Sequence, residues 1–315
     1  MCSVFVWEKC IPGVFDPPLL QDKLPSETLE RNLHKMGVFT FRLRDGDTVD
    51  DFMCLCKFPS DTTGDPTACC LDSASMLDMR VKNRDTRIVV YVHGNAECVH
   101  TSVPAQEFVT TTLHKIYVTF EWRGYQSRSQ SCPTFESQCV RLLAVLRFLS
   151  GTSDDQSLSI ALLGFSLGCA VLLRSVQLAR LPALRPSVAN DVRIERVRFV
   201  CLLAPFLSGP AVLLKNTILE DALVHVFPPM NNAAAVGALQ IPMLAIHGTE
   251  DGVIPTHHSE KLSQYFEAST YNRRYRSRYV YVDGATHSTL LCAPHVAVVT
   301  DAIIQFESEC ERNAA

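Results

Sequence analysis

The chain contains no Cys-x-x-Cys pair and no Asn-x-Ser/Thr sequon, although 13 of its 315 residues are cysteine. An odd cysteine count, without paired spacing, reads as reduced thiols, most of them small buried hydrophobes. The segment from Met1 to Phe15 lacks a basic start followed by an apolar block, so no signal peptide is expected and the expected location is cytoplasmic. No apolar stretch is long enough to cross a bilayer; the longest, Ile160 to Leu173, stops at Arg174. Positive charge is not in excess either. A net charge of −4 leaves no electrostatic footprint for nucleic acid. Internal repeats and low-complexity segments are absent. What remains is a chain that is 47% hydrophobic and 20% charged, enough for one large α/β domain or two small ones.

The pattern along the chain favours a single α/β domain over residues 38–312, preceded by a proline-containing arm over 1–37. Val38 to Leu43 and Asp51 to Phe58 read as strands around the turn signal Asp45-Gly46-Asp47. A polar stretch at 59–86 reads as a surface insertion. Beyond it strands and helices alternate. Strands are expected at Arg87 to Val92, Ile116 to Glu121, from Leu158, Val197 to Leu203, Ile241 to Ile246 and Arg278 to Val282. Helices are expected at Thr101 to His114, Thr134 to Leu149, Cys169 to Leu178, His258 to Ala268 and Pro294 to Cys310. Strict alternation implies right-handed crossovers and a mostly parallel sheet with helices on both faces. Residues 207–238 exceed what one crossover needs and read as a short cap. Its apolar residues, with Phe206, Val226 and Phe227 foremost, either line an acyl pocket or simply pack on the sheet.

Chemistry concentrates where such sheets place it, at the carboxyl ends of strands. Gly164-Phe165-Ser166-Leu167-Gly168 joins a strand-like run to a helix-like one. A strand that turns sharply into a helix strains its central residue, and small neighbours two positions away relieve the crowding. Ser166 is therefore the candidate nucleophile. The strand ending at Ile246 leads into His247-Gly248-Thr249-Glu250-Asp251-Gly252, and the strand ending at Val282 leads into Asp283-Gly284-Ala285-Thr286-His287. Asp251 is the candidate acid, with Glu250 as its alternative, and His287 is the candidate base. A serine hydroxyl needs an imidazole to take its proton and a carboxylate to hold that imidazole in one tautomer. His93 and His247 read as loop-shaping residues, and His257, His258 and His295 as solvated or capping ones. An oxyanion hole requires two backbone N–H groups; Leu167, after the nucleophile, and Asn95, in the loop His93-Gly94-Asn95-Ala96, are the candidates.

Val92-His93-Gly94-Asn95-Ala96, Trp122-Arg123-Gly124-Tyr125, Gly164-Phe165-Ser166-Leu167-Gly168, His247-Gly248-Thr249-Glu250-Asp251 and Gly284-Ala285-Thr286-His287 occur in this order. Together they resemble the α/β-hydrolase superfamily, and within it the α/β-hydrolase-domain-containing protein 17 group of protein depalmitoylases. The resemblance covers residues 38 to 310 and implies an α/β-hydrolase fold. Gln126 stands where the Arg-Gly-Tyr motif usually continues with glycine. By resemblance the reaction is hydrolysis of an acyl ester or thioester through an acyl-Ser166 intermediate, on an acylated protein or a lipid ester. A serine peptidase of the prolyl-oligopeptidase type, a general carboxylesterase or lipase, and a non-catalytic binding protein on the same scaffold are the alternatives. The chemistry calls for no metal or organic cofactor. Cys2 and Cys10 are candidate acylation sites for peripheral membrane contact; unmodified thiols are the plainer reading. The basic run Arg273-Arg274-Tyr275-Arg276-Ser277-Arg278 reads as a solvated loop or as a contact for anionic headgroups.

Overall fold

The structure, a computed structural model, describes residues 38–44, 51–59, 87–99, 101–125, 133–151, 159–181, 186–189, 191–214 and 230–312. The arm over 1–37 with Cys2 and Cys10, nearly all of the 59–86 insertion, and Gln126 lie outside the described residues.

The strands are β1 (Val38–Arg44), β2 (Asp51–Lys57), β3 (Ile88–Val92), β4 (Ile116–Phe120), β5 (Ile160–Phe165), β6 (Val197–Leu203), β7 (Met243–Gly248) and β8 (Ser277–Val282). They form one eight-stranded sheet in the order β1-β2-β4-β3-β5-β6-β7-β8. β1 and β2 pair antiparallel, as do β2 and β4, and every other pairing is parallel. The chain leaves β3 toward β4 on one side and later inserts β5 on the other. That reversal opens a crevice at the carboxyl ends of β3 and β5, where Val92 pairs with Gly164.

Both faces of the central strands β3 to β7 are buried, which is why those strands are nearly continuous in apolar residues. In β3, Ile88, Val90 and Val92 join one core while Val89 and Tyr91 join the other. The first core lies beneath α2 (Phe135–Gly151), α3 (Leu167–Arg180), α5 (Asn232–Gly237) and α6 (His257–Ala268). The second lies beneath α1 (Val103–Glu107), a π-turn at Phe108–Thr112 and α7 (Val296–Arg312), through Phe108, Val109, Val299 and Phe306. Helix α3 is buried nearly all round, as a helix apolar on every side must be. Arg174, Gln177 and Arg180 are the half-buried exceptions, and Arg174 Nη1 donates to Gln177 Oε1 at 2.7 Å.

Most boundaries shift by one or two residues from the sequence reading, and two differences have identifiable reasons. The expected helix over 101–114 is a single α-turn that widens into the π-turn, which buries the consecutive residues Phe108, Val109 and Thr110 together. The strand expected from Ile241 begins at Met243, because Pro242 has no N–H to give its neighbour; its carbonyl still accepts from Val200 N–H at 2.9 Å. In the 207–238 segment, α4 (Gly209–Leu214) and α5 are described, and Leu207, Ala211, Ala233 and Val236 belong to the first core. The described flanks of that segment are packing elements. No helix among the described residues is long and apolar enough to cross a membrane.

Candidate active site

Ser166 sits between β5 and α3 with φ 51° and ψ −118°, in the left-handed region that costs a non-glycine residue about 1–2 kcal/mol. Surrounding bonds hold it there: its N–H donates to Leu203 O at 2.9 Å, and its carbonyl accepts from Cys169 N–H at 3.0 Å. The hydroxyl makes no capping bond to its own helix, which leaves it free to point elsewhere. Gly168 makes the close approach possible. A Cβ there would stand 2.0 Å from Val92 O and 2.5 Å from His93 O, both backbone atoms that cannot swing aside. Gly168→Ala is accordingly expected to cost about 2–3 kcal/mol. Thermal melting should read that as a drop of several degrees. Gly252→Ala, with nothing within 4 Å, should leave the melt unchanged.

The Ser166 hydroxyl lies 3.1 Å from His287 Nε2, and His287 Nδ1 lies 2.7 Å from Asp251 Oδ2. Three groups far apart in the chain thus form one hydrogen-bonded line. The partners assign the tautomer. A carboxylate only accepts, so Nδ1 carries the hydrogen and Nε2 accepts from the serine. Phe165 flanks the imidazole, its ring centroid 5.0 Å away and tilted by 38°.

Asp251 is held as firmly as the histidine it faces. Its Oδ1 accepts from Val253 N–H at 2.9 Å and from Ile254 N–H at 2.8 Å. His247 Nε2 donates to Ile254 O at 2.8 Å and stands 3.2 Å from Asp251 Oδ2, while Nδ1 meets Ser259 Oγ at 2.5 Å. Burial alone would raise the Asp251 pKa. The bonds from His247, His287 and Ile254 outweigh it and hold the carboxyl well below the usual carboxylate range. Glu250, the alternative acid, is exposed. Its N–H donates to Ala285 O at 3.0 Å, which ties the acid-bearing loop to the base-bearing one. Gly248 permits this, since a Cβ there would lie 2.1 Å from Ala285 O.

The loop after β3 is clamped from two directions. Tyr125 OH donates to Asn95 Oδ1 at 2.7 Å. Glu97 Oε2 accepts from Gly94 N–H at 2.7 Å and from Tyr91 OH at 3.2 Å, and between these residues Ala96 turns the chain at φ 58°. Burial raises the Glu97 pKa, against the lowering effect of Gly94 N–H, Tyr91 OH and the nearby His287. Glu97→Ala should lower kcat about 10- to 100-fold with KM little changed, because it frees the loop that carries the Asn95 N–H; Glu97→Gln keeps an acceptor and should retain most of the rate. Leu167, the first residue of α3, has an N–H with no acceptor inside its helix.

His93 shapes the base of this loop. It is fully buried, stacked on Trp122 with centroids 4.3 Å apart, and Nδ1 lies 2.9 Å from Gly94 O. Burial lowers its pKa from 6.5 to about 4. A histidine kept neutral in the fold but protonated when unfolded stabilises fully above about pH 6.5, and that stabilisation is lost as pH falls toward 4. The loss should reach roughly 3 kcal/mol. Urea denaturation at pH 7 and at pH 4.5 should expose it, and His93→Phe should flatten the difference.

Residues 74–277 match the family model described as Serine hydrolase (FSH1), well over half of the chain. The chain belongs to this serine hydrolase family. The match takes in Ser166 and Asp251 and ends before His287. No curated protein sequence matches the chain. Among solved structures, the esterase Pf2001 of Pyrococcus furiosus aligns at TM-score 0.58 and 14% identity, over 93% of this chain and 100% of its own. The esterase domain of a Rhodothermus marinus protein aligns at 0.50 and 17%, over 84% and 95%. Mouse α/β hydrolase domain-containing protein 10 aligns at 0.50 and 14%, over 85% and 98%. Identities this low establish a common architecture, and the fold is that of the α/β hydrolases.

Not every candidate residue meets at this rim. Phe206 is only 5% exposed and packs within the first core, and its carbonyl accepts from Asn232 Nδ2 at 2.8 Å. It is a packing residue in this structure. Val226 and Phe227 lie outside the described residues. His258 is neither solvated nor a cap: it is buried, and Nδ1 accepts from Leu207 N–H at 3.3 Å. Among the described residues no group of His, Cys, Asp and Glu is arranged to hold a metal ion.

Proposed function

We propose that the protein hydrolyses acyl esters or thioesters through a covalent acyl-Ser166 intermediate. The observation that carries this reading is the continuous hydrogen-bonded line from Ser166 Oγ through His287 to Asp251 Oδ2. His287 Nε2 takes the hydroxyl proton as Oγ attacks the carbonyl carbon. The resulting imidazolium is paired to a carboxylate that already points at Nδ1. The carbonyl oxygen becomes an oxyanion, for which the N–H groups of Leu167 and Asn95 are the proposed donors. His287 then returns the proton to the leaving thiol or alcohol. Water, activated by the same imidazole, attacks the acyl carbon and frees Ser166.

The narrower reading is removal of long-chain acyl groups from protein cysteines, supported by the order and content of the five motifs. Ten buried methylenes of an acyl tail would offer up to about 8 kcal/mol of binding. An acyl thioester, a short ester and an aminoacyl amide assayed side by side test the class of substrate. The reading expects turnover of the first two; turnover of the amide alone would replace it with peptidase activity. A fluorophosphonate probe should label Ser166 in the folded protein. Failure to label would leave a scaffold without the proposed nucleophile.

A further inference from the structure

At the amino ends of β7 and β8, on the rim opposite Ser166 and a strand length away (roughly 20 Å), lies a groove of about 500 Å³. It is lined by Gln240, Thr270, Tyr271, Arg273, Arg274 and Tyr275, none of which is a carboxylate. The four arginines of the run 273–278 divide into two pairs. Arg276 and Arg278 lie 3.7 Å and 3.6 Å from the Glu309 carboxylate. Arg273 and Arg274 are exposed and have no carboxylate partner among the described residues. A third guanidinium stands behind the groove: Arg180 Nη2 donates to Gln240 O at 3.1 Å, and its buried Nε has no hydrogen-bond partner among the described residues.

The loop that presents these cations is fixed. Asn272 is buried; its Oδ1 accepts from Gln240 N–H at 2.8 Å, and its Nδ2 donates to Val236 O at 2.9 Å and Phe266 O at 3.2 Å. Ser269 Oγ donates to Gly237 O, and Tyr275 N–H donates to Asn272 O at 2.8 Å. A disordered basic loop would hold its charges apart in water. This one holds two free guanidinium groups beside two tyrosine rings, one of them, Tyr271, 68% exposed. In a chain of net charge −4 this is a local reversal of sign.

We propose that this groove binds a phosphate group, with Arg273 and Arg274 as its guanidinium donors and the Tyr271 ring beside the group that carries the phosphate. Guanidinium forks match phosphate oxygens two at a time, which a lysine pair would not do. The inference does not depend on the role of Ser166. The source of the phosphate is either a soluble phosphate ester or a lipid headgroup.

The test uses the full chain in two arms at matched ionic strength. Titration calorimetry with inorganic phosphate, against potassium chloride, reports the soluble source. Cosedimentation with phosphatidylcholine vesicles containing phosphatidylinositol 4-phosphate, against phosphatidylcholine alone, reports the lipid one. Binding above control in either arm is expected, and which arm responds identifies the source. R273A/R274A should weaken that binding roughly thirtyfold, about fivefold for each arginine at about 1 kcal/mol apiece. R276A/R278A, whose guanidinium groups share the Glu309 carboxylate and lie outside the groove lining, should weaken it less than about threefold. Far-UV circular dichroism and a cooperative thermal melt should be alike in both variants, which checks that each is folded. No binding in either arm, or equal loss in the two double variants, would overturn the site.

Discussion

Ser166→Ala is expected to lower kcat for a short p-nitrophenyl ester by about 10⁶-fold, with thermal stability unchanged. The stability half follows from the local bonding. Among the described residues the Oγ has His287 Nε2 as its one hydrogen-bond partner, and the bonds that hold the elbow come from the Ser166 backbone, which alanine retains. Alanine at φ 51° carries the same strain as serine. The kinetic half follows from removing the atom that forms the acyl bond, so that water must attack without a covalent intermediate. Residual catalysis of about 10³- to 10⁴-fold over solution would remain from binding and from the oxyanion donors. The decisive measurement is single-turnover kinetics, with melting temperature recorded on the same sample. A variant with wild-type turnover would remove Ser166 from the mechanism, whatever its geometry.

The fold was legible because burial on both sheet faces forces apolar strands, and those strands can be counted. Val197–Leu203 was readable to the residue, since its apolar run is bounded by charged residues before it and Pro205 after it. The three residues of the Ser166 line were findable for a related reason. Each follows a strand, and the fold brings the carboxyl ends of strands to one rim. What the sequence does not show is which side chains brace the loops that carry these residues. Glu97 lies three residues after Gly94, but nothing in the spacing says that its carboxylate folds back onto the Gly94 N–H. Tyr125 stands in the sequence only as part of a motif, and its bond to Asn95 joins loops thirty residues apart. His247 reads from the sequence as a loop former; its place between Ser259 and Asp251 depends on how α6 packs beside the loop. Apolar composition at 207–212 and 230–238 likewise cannot distinguish a pocket wall from a core, and there Leu207, Ala211, Ala233 and Val236 go to the core.

Asp251→Asn should lower kcat by about 10⁴-fold at neutral pH while leaving the fold largely intact. The asparagine Oδ1 can still accept from Val253 and Ile254 N–H, so the loop keeps its shape. Its amide nitrogen then faces His287 Nδ1, where a carboxylate oxygen stood at 2.7 Å. Two donors cannot share a hydrogen bond, so the imidazole is driven to the other tautomer and Nε2 can no longer accept from Ser166. Asp251→Ala would also lose kcat, but it leaves two backbone N–H groups without their acceptor and should melt lower. That difference separates catalytic from structural loss. Glu250→Gln, at an exposed position, should retain the wild-type rate and so decide between the two carboxylates. The charge itself has a signature in acid. The folded pKa of Asp251 lies below its unfolded value of 3.8. Its stabilisation is therefore complete above about pH 4 and is lost as pH falls through the depressed folded value. The asparagine variant has no such titration. Below pH 4 its denaturation midpoint should decline less steeply than that of the parent, and parallel curves would mean that the carboxylate is not held as the geometry places it.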